Sequence, residues 1–429
     1  MDGTAVAHSN ILETPAAHRE RWRHLILGVI CMIMIANLQY GWTLFVPAMQ
    51  KAQGWSVPNI QFAFTLFVAL ETWCTPINGW VADHLPVQLG PRVVIGFGGI
   101  LVALGWIINS YAGSLPVLYL GEVLSGFGAG AVYSCAVGTS VKWFKDHRGL
   151  AVGLTAAGFG AGTALTIVPI QLLMAQAGYQ STFFWFGLIQ GGVVLVASQF
   201  IRNPRPGEAP AVTAVKVKQT TRSYTSGEML HSPIFWVLYL LDVLMCAGGL
   251  IVTANLAPMA AAFQVSTVMT FLGATLSVAL IFANVMNGVA RPFFGWVADN
   301  IGLSKTMTIA FALGAAAYFL LSVTGRSPWG FIFFSGMVFF CWGEIFSLFP
   351  AMCTDLFGDK YATTNTSLLY TAKGLAAFLV PVGTMVASAT GSWNSILYFT
   401  TAINVLAVIL IITVLRPAEI RHHAIEAAA

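Results

Sequence analysis

The phrase Gly-Trp-Val-Ala-Asp is written twice in this chain, at 79–83 and again at 295–299 of 429 residues. Spacing of half a chain marks a duplicated unit and not a short tandem array. Each copy closes a long apolar stretch and is followed by a short polar segment containing glycine and a basic residue. Charged residues make up only 8% of the chain and hydrophobic ones 57%, against roughly 25% charged in soluble proteins. Two matched, apolar halves point to two helical bundles set face to face in a membrane, the plan on which many carriers are built.

Apolar runs recur throughout, as at 93–112, 183–201 and 402–415. A membrane-crossing helix needs ~20 mostly apolar residues. Twelve candidates begin near residues 24, 58, 92, 115, 149, 181, 234, 266, 303, 328, 361 and 393. One long polar stretch, 202–233, separates the sixth from the seventh. The expected fold is therefore an all-α membrane protein with twelve transmembrane helices in two pseudo-symmetric six-helix bundles. Its parts would be a tail (1–22), the first bundle (23–201), a linker (202–233), the second bundle (234–416) and a second tail (417–429).

Of the 20 Lys and Arg, sixteen fall on one side of this plan, including Arg19, Arg21, Arg23, Arg92, Lys142, Lys145, Arg148, Lys216, Lys218, Lys305 and Lys360. Only Lys51 and Arg326 fall on the other. The positive-inside rule then places both termini in the cytoplasm, as expected for a multi-pass protein of the cell's inner (plasma) membrane. Read this way, the net charge of +4 is a topology signal and not a nucleic-acid surface. About 23 polar residues precede the first span, which does not resemble a cleavable signal peptide. The six cysteines show no paired spacing, so neither disulfides nor a metal site are expected. All eight histidines are expected at or outside helix ends, which argues against haem ligation. No phosphate-binding Gly-x-x-x-x-Gly-Lys loop occurs, so no ATP use and no cofactor is expected.

Two basic residues remain inside spans: Arg291 in the eighth and Lys373 in the eleventh. Counting from Asp299 and Tyr361 puts them roughly 12 and 18 Å from the surface, near the middle of a ~30 Å core. A charge there costs at least ~2.5–3.5 kcal/mol and usually faces a polar cavity. Arginine suits a carboxylate because its planar fork donates two parallel bonds. The bland alternative is neutralisation by a buried acid: Glu71, Asp242 or Glu344, with a Glu344–Lys373 pair expected from their matching depth. Glu122 is expected at the membrane interface. Polar stripes accompany the cations: Asn284, Asn287 and Arg291 on one helix, Thr366, Tyr370 and Lys373 on another, and Asn37 with Tyr40, beside Gln39, on the first. Such stripes either line a cavity or join packed helices. Tyr133, Trp342 and Phe346 fall at the same depth. The glycines of span five, Gly149, Gly153, Gly158, Gly160 and Gly162, read as a packing device that permits sliding.

Two six-helix halves and a Gly-x-x-x-Asp element after spans two and eight resemble the major facilitator superfamily. The second copy, Gly295 to Asp299 with Gly302 and Lys305, is close to that family's loop motif, whereas the first carries four extra residues before Gly90, Pro91 and Arg92. The resemblance makes Gly79, Asp83, Gly295 and Asp299 conformational-switch loops. Within that family the chain looks like the oxalate:formate antiporter and monocarboxylate porter branch. The stretches that carry this lie around 38–44, 226–239, 290–296, 348–358 and 372–373. It implies that Arg291 and Lys373 hold a small carboxylate, within a cage of Gln39, Tyr40, Tyr133, Trp342 and Tyr370. Phe346 lacks a hydroxyl found in the oxalate carrier, Glu344 replaces a small neutral residue, and Glu71 replaces an amide, which argues against a strict preference for a dianion. Asn287 stands where proton-coupled relatives carry an acid. Thr163 replaces the proline of an antiporter motif.

The reading is a carrier of small carboxylate anions working by alternating access as a monomer, by exchange of the oxalate/formate kind. Proton-coupled symport of a monocarboxylate is the alternative, with Glu344, Glu71 or Asp242 taking the proton. A sensor that binds without transport would need a signalling domain, and an intramembrane enzyme would need a nucleophile–base pair. Neither is apparent in the sequence.

Overall fold

In the computed structural model, residues 15–145, 148–205, 208–209, 222–358 and 361–428 are described. Lys216, Lys218 and Lys360, used above to orient the chain, lie outside them, as does much of the linker. Among the described residues, eleven helical stretches are long and apolar enough to cross a membrane. The fifth, Leu150–Ser198, contains 49 residues, about 74 Å of helix and more than twice a ~30 Å core. It breaks at Gly178, whose φ of 80° and ψ of 168° lie outside helical space. Only glycine takes such a φ without strain. The break makes two crossings of one stretch, and the total is the expected twelve.

Helix starts follow local chemistry. Proline occupies the first turn of the helices beginning at Val57, Gly90, Leu115, Pro233 and Pro328, where its missing N–H costs nothing. Ser56 caps the second span by accepting from the Asn59 N–H. After the linker, Thr225 and Glu228 form a reciprocal capping box on the short helix Ser226–Leu230.

Three boundaries differ from expectation. The first helix runs Pro15–Tyr40, so it starts before residue 24 and carries His24 inside it, buried and stacked on Trp143 with ring centroids 4.6 Å apart. Span eight starts at Thr275 and not near 266. The intervening residues form a small antiparallel hairpin pairing Met269 with Ala274 and Thr270 with Gly273. Gly79 lies within the helix Thr75–His84, and Gly295 and Asp299 within Thr275–Ile301. These positions are last helical turns and not loops, because backbone bonding continues until Leu85 and Gly302. The side chain of Asp83 lies outside the description, and Asp299 is exposed.

With twelve crossings the first and last described helices meet the same face, here called the basic face. On the far face the halves are sealed. Gln61 Nε2 of span two donates to the Ala254 oxygen (2.8 Å) and to Asn255 Oδ1 (2.9 Å) of span seven. Thr43 Oγ1 accepts from the Ala257 N–H at 2.8 Å, and Ser277 donates to Gln171 at 2.6 Å. All of these except Ser277 and Gln171 are buried. Toward the basic face Tyr133, Phe346 and Tyr370 are only half-buried.

Candidate functional site

Five spans are interrupted near their middles. The breaks fall at Gly41, Cys74, Gly162–Leu165 (one 3-10 turn), Glu344 and Phe378. Each lies within a few residues of an expected site residue or of span five's glycines: Tyr40, Glu71, Gly160, Glu344 itself and Lys373. Interrupted helices free backbone groups and redirect side chains, and in transporter folds they mark the binding region. Sequence reasoning did not read these breaks, although Pro76, Gly160 with Gly162, and Pro381 lie beside three of them.

Lys373 is buried, and its ammonium donates to Glu71 Oε2 (2.7 Å), Gln39 Oε1 (2.8 Å) and the Tyr370 hydroxyl (3.2 Å). An ammonium has three donors, so all are engaged. Tyr370 also donates to Glu71 Oε1 at 3.4 Å. The expected Glu344–Lys373 pair is not formed. Depth alone suggested it, but Glu71 reaches Lys373 across the interface from the other half and takes that place.

Arg291 is equally buried and differently placed. Its Nη1 donates to the main-chain oxygen of Ala156 at 2.7 Å and its Nη2 to Asn287 Oδ1 at 3.3 Å. Both acceptors are neutral, and Nε has no partner among the described residues. Asn287 is held in turn by Tyr40, whose hydroxyl donates to Oδ1 at 3.3 Å, and it donates to the Phe339 oxygen at 3.3 Å. Two further buried donors nearby, Gln39 Nε2 and Trp342 Nε1, also lack acceptors among the described residues. Such groups are rare in native structures and call for an explanation.

Aromatic rings enclose both cations. Arg291 Cζ lies 4.7 Å from the Phe346 ring centroid, and Lys373 Nζ lies 5.5 Å from the same centroid. Trp342 packs edge-on against Phe346 and against Tyr40, with centroids 5.4 and 6.3 Å apart. Tyr133 stacks on Tyr370 at 5.6 Å. Phe159, which sequence reasoning missed, meets Tyr40, Tyr133 and Lys373 at 5.4, 5.6 and 5.5 Å. It lies between Gly158 and Gly160, in the stretch read above as a packing device that permits sliding.

The remaining expected residues separate. Glu344 is fully buried and neither carboxyl oxygen meets a donor among the described residues. Asp242 is buried and accepts from Cys246 Sγ at 3.3 Å. Glu122 is not interfacial: it is fully buried with Asn109 donating to it, because span three covers the outer part of span four. Asn37 joins helices, donating to Gln190 at 2.9 Å and accepting from Thr166. Asn284 donates to its own helix at Leu280.

Twelve crossings in two halves, with interrupted helices and buried cations at their interface, define a multi-pass membrane transport protein and not an enzyme. The chain belongs to the Major Facilitator Superfamily, which it matches over residues 25–381 and again over 272–428. It is 34% identical over 377 residues to the oxalate:formate antiporter of Oxalobacter formigenes, covering 87% of each chain. It is also 30% identical over 358 residues to an uncharacterized 38 kDa protein of Thermoproteus tenax, covering 83% of this chain and 86% of that one. Similarity to human monocarboxylate transporter 11 is 29% over 283 residues, 64% of this chain and 57% of the relative.

Proposed function

We propose that this protein is a secondary carrier of small organic carboxylates, working by alternating access and exchanging one carboxylate for another. The observation that carries the reading is Arg291, a buried guanidinium at the interface of the halves that hydrogen-bonds only neutral oxygens. An uncompensated buried charge is costly, and a ligand carboxylate is the natural counter-ion for a planar fork. Tyr40 and Asn287 orient the fork, and Gln39, Tyr133, Trp342, Phe346, Phe159 and Tyr370 form the surrounding wall. Lys373 belongs to the same wall with Glu71 beside it. Without a ligand Arg291 resists burial in a closed centre, which favours return of the loaded form and hence exchange. The similarity to an antiporter named for oxalate and formate supports the same class.

In this reading the basic face is cytoplasmic, as the distribution of Lys and Arg favours, and the protein resides in the plasma membrane as a working monomer. The helix ends at Gly79 and Asp83, and at Gly295 and Asp299, part and rejoin as access alternates. The test is uptake of labelled formate, lactate and oxalate into proteoliposomes, with and without internal carboxylate and under an imposed pH gradient. Exchange predicts uptake that requires internal carboxylate and ignores the gradient. Accumulation into empty vesicles driven by inward protons would replace exchange with proton symport. One observation favours that second reading: Glu344 is a buried carboxyl with no donor among the described residues, whereas Glu71 is engaged by Lys373.

A further inference from the structure

We propose that Glu71 sets the valence of the transported anion. From within the protein it fills the place on Lys373 that a second substrate carboxylate would take, so that the site accepts monocarboxylates and rejects dicarboxylates. This rests on the carboxylate reading above and specifies its substrate class.

The two cations of the site carry different loads. Lys373 has three donors and all three are spent inside the protein, on Glu71, Gln39 and Tyr370. Arg291 spends two of its five donors, both on neutral oxygens. A ligand therefore finds donors on Arg291 and none on Lys373.

Charge leads to the same result. Arg291 and Lys373 are set against Glu71, and all three are almost fully excluded from solvent. One positive charge is left over, and one carboxylate cancels it. A dianion would leave the centre negative in a place where water cannot screen it. Ionisation of Asp242 or Glu344, the other acids of this region, would only deepen that excess.

Between the cations the described wall supplies no further positive charge: the donors without an acceptor among the described residues, Gln39 Nε2 and Trp342 Nε1, are neutral. The ring that both cations approach is Phe346, at 4.7 Å from Arg291 and 5.5 Å from Lys373. A second carboxylate extending from Arg291 toward Lys373 would pass along an apolar ring and reach the Glu71 carboxylate. The hydrogen or alkyl remainder of a monocarboxylate meets the rings of Phe346, Trp342 and Phe159 there.

The test uses oxamate and oxalate, which match in size and differ by one charge at neutral pH. Both are titrated calorimetrically against the purified full-length protein in detergent. The expected result is oxamate binding at least about tenfold tighter than oxalate, since like-charge juxtaposition costs several kcal/mol when desolvated. In Glu71→Gln, which leaves Lys373 with a neutral partner, that ratio is expected to fall by about tenfold or to invert. Oxalate binding as tightly as oxamate in the unaltered protein, or a folded Glu71→Gln with an unchanged ratio, would overturn the assignment. If the variant does not yield monodisperse protein, the ratio in the unaltered protein decides alone. Failure to bind oxamate, formate, lactate or oxalate overturns the carboxylate reading and this inference with it. Equal binding of oxamate and oxalate overturns the valence assignment only.

Discussion

Arg291 and Ala156 belong to different halves of the chain, and the guanidinium of the first donates a 2.7 Å hydrogen bond to the main-chain oxygen of the second. A carboxylate that claims the fork competes with this bond. In the proposed carrier this competition couples ligand binding to the contact between halves through one side chain, as alternating access requires.

Replacing Arg291 by Gln is expected to reduce carboxylate uptake by at least about 100-fold, since two charge-assisted bonds of ~1.5–3 kcal/mol each are lost. Arg291→Lys keeps the charge and loses the fork, and should fall between. Proteoliposome uptake, normalised to inserted protein, checks both. A well-inserted Arg291→Gln protein that transports normally would remove the anchor from the proposal.

Gly160 provides a test in which no charge changes. A Cβ at this position would stand 2.5 Å from Asn287 Oδ1 and 3.2 Å from Arg291 Nη2. Asn287 Oδ1 is the acceptor for both Tyr40 and Arg291, so Gly160→Ala must displace it or part spans five and eight. Overpacking of this kind costs typically ~1–3 kcal/mol, and uptake should fall with it. Gly153→Ala on the same span meets nothing within 4 Å and should leave transport unchanged. Thermal unfolding and uptake of the two variants, measured side by side, decide whether span five positions the anchor.

Much of this fold is legible in the sequence, for reasons that apply residue by residue. Lipid demands long apolar helices, so the spans follow from hydropathy, and the repeated Gly-Trp-Val-Ala-Asp locates the duplication. Arg291 and Lys373 stand out because charges in lipid are expensive. What stayed hidden depends on contacts between distant segments. Depth along a helix placed Glu344 level with Lys373, yet the partner is Glu71, more than 300 positions away in the chain. Phe159 and the Ala156 carbonyl were missed because an apolar side chain and a backbone oxygen carry no sequence mark. The division at Gly178 was legible, because Gln176, Gln180, Ser181 and Thr182 interrupt the apolar run there.

The seal on the far face rests on Gln61. It accepts from Trp42 Nε1 at 3.1 Å and donates to the Ala254 oxygen and Asn255 across the interface. Gln61→Ala removes these bonds and leaves their partners buried, at about 1–3 kcal/mol for each unsatisfied group. The equilibrium should shift toward opening of the far face. A cysteine placed at Thr253, buried just beneath the seal, should then react with an impermeant maleimide at least about tenfold faster than in the Gln61 background. An unchanged labelling rate would mean that the seal is carried by the other contacts.

Glu344 separates exchange from symport. Its main-chain oxygen accepts from the Ser347 and Leu348 N–H groups, both at 2.9 Å, and from the Ser347 hydroxyl at 2.8 Å, which fixes the helix break. The carboxyl group takes no part in that arrangement and meets no donor among the described residues. Glu344→Gln therefore preserves shape and backbone bonding while removing the side chain's ability to bind and release a proton. Under exchange, counterflow between carboxylate-loaded vesicles and the medium should stay within about twofold of the unaltered protein, because Arg291 and its neutral acceptors are untouched. Under symport, uptake driven by an inward proton gradient should disappear while counterflow persists, since counterflow needs no net proton movement. Loss of both would place Glu344 in the ligand's own surroundings, close enough to Arg291 for its charge to bear on how the carboxylate is held.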